Sequence, residues 1–336
     1  MASTRGACAP QRSKTQMNSP SNAESGPGSA TPATTTTPSD SGASDPGYEG
    51  ATRPLYWSVW REVWENRSIY IAPLAVAVVV LFGFIISTYG MPERRQAVLL
   101  QDAAKQRALI GAPYDVAAMV LIFTVFIVGV FYCLDALYGE RRDRSILFWK
   151  SLPVSDLTTV LSKASIPLVI LPLITFAIIV VTQFVMLLWS SVVLLTSGLA
   201  GTTWTRFNLL EQSLILLYSL IALALWHAPI YSWLLLVSGW ARRATFLWAV
   251  LPLFAISIFE KITFNTTHFA SMLGHRLTGF AAEAFDFQGQ HDPDIHSLAQ
   301  LTPGRYLSTP GLWIGLAFAA AFIFAAVRLR RYRGPI

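Results

Sequence analysis

The chain has 336 residues, of which 53% are hydrophobic and 13% charged, and carries a formal charge of +6. Roughly a quarter of the residues in an ordinary soluble domain are charged, so this composition excludes a plain soluble fold. Two cysteines, Cys8 and Cys133, imply no disulfide framework, and no basic patch on a soluble face argues for nucleic-acid binding.

Residues 1–52 are rich in Ser, Thr, Pro, Gly and Ala. Such a tail buries too little apolar surface to offset its ordering entropy, and disorder is the expectation. Residues 55–68 follow with Tyr56, Trp57, Val59, Trp60, Val63 and Trp64 on one side of a helical wheel. Ser58, Arg61, Glu62, Glu65 and Asn66 fall on the other. Three tryptophans on the apolar side predict an amphipathic helix lying in the membrane interface.

A bilayer core about 30 Å thick needs roughly 20 helical residues to cross it. Six runs qualify: 69–89, 116–137, 166–189, 213–237, 244–259 and 312–327. The last two are short and need upright packing or snorkelling flanks. Apolar sequence continues through 190–200, where Ser197-Gly198 and Gly201-Thr202 interrupt it. That excess is expected as a re-entrant or surface element on the outer side. Residues 260–310 are too long for a plain connector and are expected as short outer helices. The fold class is therefore all-α: a six-span polytopic bundle occupying residues 53–333, with an interfacial helix and an elaborated outer segment.

Orientation follows the Lys and Arg distribution. With both termini inside, the inner segments hold Arg61, Arg67, Arg141, Arg142, Arg144, Lys150, Lys163, Arg242, Arg243 and the arginines of the tail. The outer segments hold most of the acids. Arg94, Arg95, Lys105 and Arg107, on the first outer loop, run against this trend.

The loop over 138–156 reads Tyr-Gly-Glu-Arg-Arg-Asp-Arg-Ser-Ile-Leu-Phe-Trp-Lys-Ser-Leu-Pro-Val-Ser-Asp. Gly139 suits a left-handed helix cap. Glu140 to Asp143 supply alternating charge, and Ile146, Leu147 and Phe148 form an apolar strip. Pro153 stops that strip, and Ser155 or Asp156 caps the next helix. A short helix parallel to the membrane is the expected result.

Two further groups of residues bear chemistry. His291, Asp292, Asp294 and His296, with His268 and His275 upstream, are dense enough to suggest a metal site of His291, Asp294 and His296. No helical His-Glu-x-x-His spacing occurs and Pro293 interrupts the ligand geometry, so a solvated acidic loop is the plainer reading. Within the spans, Asp135, Gln183 and His227 each need a partner or a wet cavity. Gln183 and His227, the latter beside Pro229, are candidates for lining a translocation path, with inter-helix hydrogen bonding as the alternative. Asp135 is close enough in sequence to pair with Arg141 or Arg142.

Gly-Glu-Arg-Arg-Asp, then Leu-Pro-Val-Ser, then Lys163 in the following helix, resembles the type 2 ATP-binding-cassette (ABC) exporter permeases. The pattern there also lies between the second and third of six spans. The likeness is specific only over residues 138–163 and architectural over 55–333. It implies a transport subunit rather than an enzyme, pairing with a second permease subunit as a homo- or heterodimer and docking on separate ABC-type ATPase subunits. ATP and Mg would be bound by those partners and no cofactor by this chain, which has no Gly-x-x-x-x-Gly-Lys-Ser/Thr run. The resemblance makes Gly139, Glu140, Arg141, Arg142, Asp143, Ile146, Leu147, Phe148 and Pro153 an ATPase-coupling loop, with Glu140 to Asp143 in polar contact with the ATPase and Ile146, Leu147 and Phe148 in its groove. It also implies a multi-pass protein of the bacterial inner membrane, bathed in lipid, with both termini cytoplasmic. A membrane-embedded metal-dependent hydrolase or transferase using the His/Asp cluster is the alternative.

Overall fold

The computed structural model describes residues 54–151, 155–286 and 298–332. The 1–52 tail, Pro153 and the group His291, Asp294 and His296 lie outside the described residues. Among the described residues the regular structure is all helical, joined by turns and short connections, apart from one bridge between Phe285 and Leu301.

Helix α1 (Pro54–Glu65) precedes α2 (Ser68–Ser87), the first of six helices long and apolar enough to cross a membrane. After α3 (Met91–Leu99), α4 (Ala103–Ala136) forms the second. It begins well before residue 116, because 103–115 stays helical through Pro113. The 138–156 loop folds as α5 (Tyr138–Arg142) and α6 (Ser145–Ser151). The third long element is a continuous rod of α7 (Asp156–Ser165), a π-helical turn (Ile166–Ile170) and α8 (Leu171–Leu195). Residues 190–195 thus lengthen a helix rather than forming a re-entrant piece. The chain turns at Gly198, whose φ of 70° suits glycine, into α9 (Gly201–Arg206).

Helices α10 (Leu209–Trp240) and α11 (Thr245–Phe264) are the fourth and fifth long helices. The segment after them holds α12 (His268–Thr278), α13 (Phe280–Ala284), a 3₁₀ turn (Leu298–Gln300) and α14 (Pro303–Ser308), before α15 (Pro310–Tyr332). The fifth and sixth helices are thus 20 and 23 residues long. Polar ends such as Glu260-Lys261 and Arg328–Arg331 extend both helices beyond their apolar runs, so neither is short.

Helix α10 is the axis of the bundle: it packs along α15 and against α4, α8 and α11. Sixteen of its residues are buried, among them Trp226, His227, Tyr231 and Ser238. Ala249 is the only buried residue of α11, which leaves an otherwise open apolar helix. The end of the bundle that gathers α1, α5–α7 and the last turn of α15 is here termed the near end. The far end carries α3, α9 and α12–α14.

The π turn has a local cause. Pro167 and Pro172 have no N–H, so the regular ladder fails at both places, and Leu171 N donates instead to Ile166 O, five residues back. A cavity of ≈ 20 Å³ lies beside this turn, lined by Phe126, Pro167, Pro172, Thr175, Leu223 and Tyr231 among others.

Candidate functional site

Helix α1 turns its polar side inward. Trp57, Trp60 and Trp64 are exposed, while Ser58 and Glu62 are buried against the bundle. A carboxylate removed from water needs partners, and Glu62 has three. Lys163 Nζ reaches its two oxygens at 2.9 and 3.0 Å, Arg61 Nη2 reaches Oε1 at 2.9 Å, and Tyr132 Oη donates to Oε2 at 3.1 Å. Burial alone would raise the Glu62 pKa, but the Lys163 charge and hydrogen bonds, helped by Arg61, outweigh it. Its carboxyl is held below the ordinary value of 4.5.

The cluster extends into the loop. Lys163, only 3% exposed, also lies 3.2 Å from Glu140 Oε1. Arg330 of α15 pairs through Nη1 with Glu140 Oε2 and through Nε with Asp156 Oδ1, the latter at 3.1 Å. Three acids (Glu62, Glu140, Asp156) thus meet three bases (Arg61, Lys163, Arg330). This balance lets the charges sit in a low-dielectric site. The cluster ties together α1, α5, α7 and α15, which are far apart in sequence.

Arg141 points elsewhere into the protein. Its Nη1 donates to Gly239 O at 2.8 Å and Ala241 O at 3.2 Å, so a cation satisfies the carbonyls at the C-terminus of α10. Gly139 is not a left-handed cap: it lies inside α5, where an added Cβ would stand 3.3 Å from Asp135 Oδ2. The left-handed residue is Arg144, φ 58°, at the joint between α5 and α6. Ser155 caps α7 as its sequence suggests, accepting from Thr158 N at 3.1 Å.

The loop's predicted contact residues therefore separate into two groups. Glu140, Arg141 and Ile146 are turned into the protein. Arg142 and Asp143 pair with each other at the surface, and Leu147 and Phe148 are 58% and 60% exposed. Asp135 meets Arg142 at 4.0 Å, the limit of an ion pair, and both are exposed.

Gln183 and His227 are both buried and lie apart from this cluster. Gln183 Nε2 donates to Tyr114 O at 3.3 Å. His227 sits between Leu223 O (3.0 Å) and Leu277 O (3.2 Å), joining α10 to α12. Neither is among the residues lining the ≈ 20 Å³ cavity, and each bonds a backbone carbonyl of another helix. At the far end, His275 Nε2 lies 3.9 Å from Glu283 Oε1, and His268 N donates to Glu260 Oε1.

No protein-family model matches this chain, and neither does any curated protein or solved structure at a significant level.

Proposed function

We propose that this chain is the permease subunit of an ABC exporter, driven by separate ATPase subunits that dock on α6. The observation that carries this reading is the division of the 138–156 loop. Its α6 face offers Leu147 and Phe148 outward, while Glu140 and Arg141 of the adjoining α5 are bonded to α7, α15 and α10. A docking partner that moves α6 would therefore act on three segments at once, and through Lys163 on Glu62 of α1. ATP and Mg on the partner would bias two arrangements of this cluster through differential affinity.

The exposed tryptophans of α1 support a helix lying in the interface at the cytoplasmic face of the bacterial inner membrane, with both termini on that side. The open apolar face of α11, including Phe246, Leu251, Phe254 and Phe259, supports a second permease subunit there, with lipid over the remaining spans.

The test is co-purification from mild detergent of the wild-type chain, Phe148→Ala and Leu147→Ala, each expressed with ATPases encoded nearby. Capture of an ATPase by wild type, reduced by either substitution, is expected. If folded wild type captures none under any nucleotide condition, the reading fails.

A further inference from the structure

The helices between α11 and α15 divide into a firmly seated part and a lightly held one. Around α13 and α14, Ala284, Phe285 and Tyr306 are buried. Tyr218 Oη donates to Ala284 O at 3.0 Å and Tyr306 Oη to Ala222 O at 2.7 Å, which fixes both helices to α10. Helix α12 buries no residue, and its Met272 and Leu277 are exposed. Its N-terminus is tied to the end of α11, where the Glu260 carboxylate accepts from His268 N and Phe269 N at 2.7 and 2.8 Å. The chain turns between the two helices at Asn265, whose φ of 51° is left-handed. A helix with so few buried contacts opens at a lower free energy than the core beneath it.

Two adjacent residues hold the other end of α12 to the bundle. Leu277 O is bonded by His227. Arg276 reaches further: its guanidinium lies over the Trp226 ring at 4.5 Å, donates to Gly311 O at 3.0 Å and fills the space that Gly315 leaves open. It therefore joins α12 to α10 and α15 together. Among the described residues no acid pairs with it. An aromatic face and one carbonyl hold a cation less firmly than a buried carboxylate does, so this contact suits a catch that releases.

Trp226 favours release as well. It is 1% exposed, and its Nε1 has no hydrogen-bond partner among the described residues. The His275 ring, edge-on at 5.5 Å, and Arg276 lie against it. A buried N–H without a partner carries a desolvation cost that hydration would return. Uncovering the indole thus offsets part of what is lost when Arg276 leaves, which narrows the energy gap between the covered and uncovered arrangements.

We propose that α12 is a lid over Trp226 at the far end of the bundle, with Arg276 as its latch. In the closed lid the guanidinium occupies the slot between Trp226 and the Gly311–Gly315 edge of α15. In the open lid that slot and the indole N–H face water, while α13 and α14 stay in place. The lid is independent of the transport reading and of the near-end cluster.

The test is amide hydrogen exchange, read by mass spectrometry on the purified full chain in a neutral maltoside detergent. Wild type is compared with Arg276→Gln, which removes the latch, and with Gly315→Ala, which blocks its slot and leaves α12 unaltered. Arg305→Gln, on α14, controls for the loss of a far-end charge. In wild type, α12 amides are expected to be protected, but to exchange sooner than those of α10 and α15. Both latch variants should speed α12 exchange by about tenfold, the scale of a lost cation–π contact, with α10, α14 and α15 unchanged and Arg305→Gln like wild type. Wild-type rates for α12 in both latch variants would overturn the proposal. So would loosening in only one of them, because side chain and slot form a single device. Acceleration spread equally over α10, α12 and α15 would also overturn it, since Arg276 would then brace the whole bundle.

Discussion

Lys163 Nζ lies 2.9 Å from Glu62 Oε1, with both side chains sealed from solvent, which joins the third long helix to the one preceding the first. Removing one member of a buried pair leaves the other uncompensated, at a cost of about 3–5 kcal/mol. Lys163→Met should therefore lower thermal stability sharply, since it removes the cation shared by Glu62, left with Arg61, and Glu140, left with Arg330. Adding Glu62→Gln should restore part of the loss, with a coupling of about 1–3 kcal/mol. Thermal unfolding of the two single variants and the double variant measures this. Strict additivity would mean that the pair contributes nothing jointly.

The same carboxylate sets an acid limit. Its pKa in the folded protein lies below the ordinary 4.5, so the unfolded chain binds the proton more tightly. The Glu62 contribution to stability is fully present above about pH 4.5 and is lost as pH falls through the lower folded value. Midpoint temperatures recorded from pH 6 to pH 3 should fall below pH 4.5 in wild type. Glu62→Gln should start lower and lose less over that interval. Parallel curves would assign the acid sensitivity to other groups.

Neighbouring residues of α6 should behave differently. Ile146 is buried, and Ile146→Ala should cost about 2–5 kcal/mol. Leu147→Ala and Phe148→Ala, on the exposed face, should change stability by about 0.5 kcal/mol or less while weakening ATPase capture. Melting curves set beside pull-downs separate the two effects. A large stability loss in Phe148→Ala would place that ring in the protein's own packing.

At the far end, Gly315 is held by what crosses it. An added Cβ would stand 1.2 Å from Arg276 Nη2, and that guanidinium covers the Trp226 ring at 4.5 Å and donates to Gly311 O at 3.0 Å. Gly315→Ala should displace the flexible end of Arg276, change stability by about 1 kcal/mol or less and alter tryptophan emission. The emission change should vanish in a Trp226→Phe background. Unchanged emission would show that Arg276 keeps its place.

The six long helices were legible because apolar runs of the right length report directly on lipid solvation, and Ser155 announced the start of α7 through simple capping chemistry. The near-end cluster was not legible. Glu62 reads as the wet side of an amphipathic helix, and Lys163 and Arg330 read as orientation charges. Only the packing of α1, α5, α7 and α15 shows that these polar faces meet one another instead of water. One signal was available: Glu62 sits opposite three tryptophans, so a helix showing those rings to lipid must turn its acid toward protein. Gly139 misled for a related reason. A glycine after an apolar run looks like a terminus, but here the chain stays helical through α5 and turns at Arg144. The burial of Arg95 left no periodic trace, because a loop helix of nine residues has no repeating face to read.

The π turn between α7 and α8 has a consequence for phase. Buried positions along this rod recur at Lys163, Pro167, Leu171, Thr175 and Ile179, a spacing of four that a regular helix of 3.6 residues per turn would carry steadily out of alignment. The wide turn absorbs the surplus, so the charged face of α7 and the packed face of α8 address the same neighbours. Deleting Val169 would close the turn into an ordinary helix and rotate one half against the other by about 100°. Either Lys163 would leave Glu62 and Glu140, or Thr175 and Gln183 would leave α4 and α10. If the deletion variant unfolds at the wild-type temperature, the two halves are not phase-locked. If it unfolds far lower, one residue is all that keeps the two ends of this rod in step.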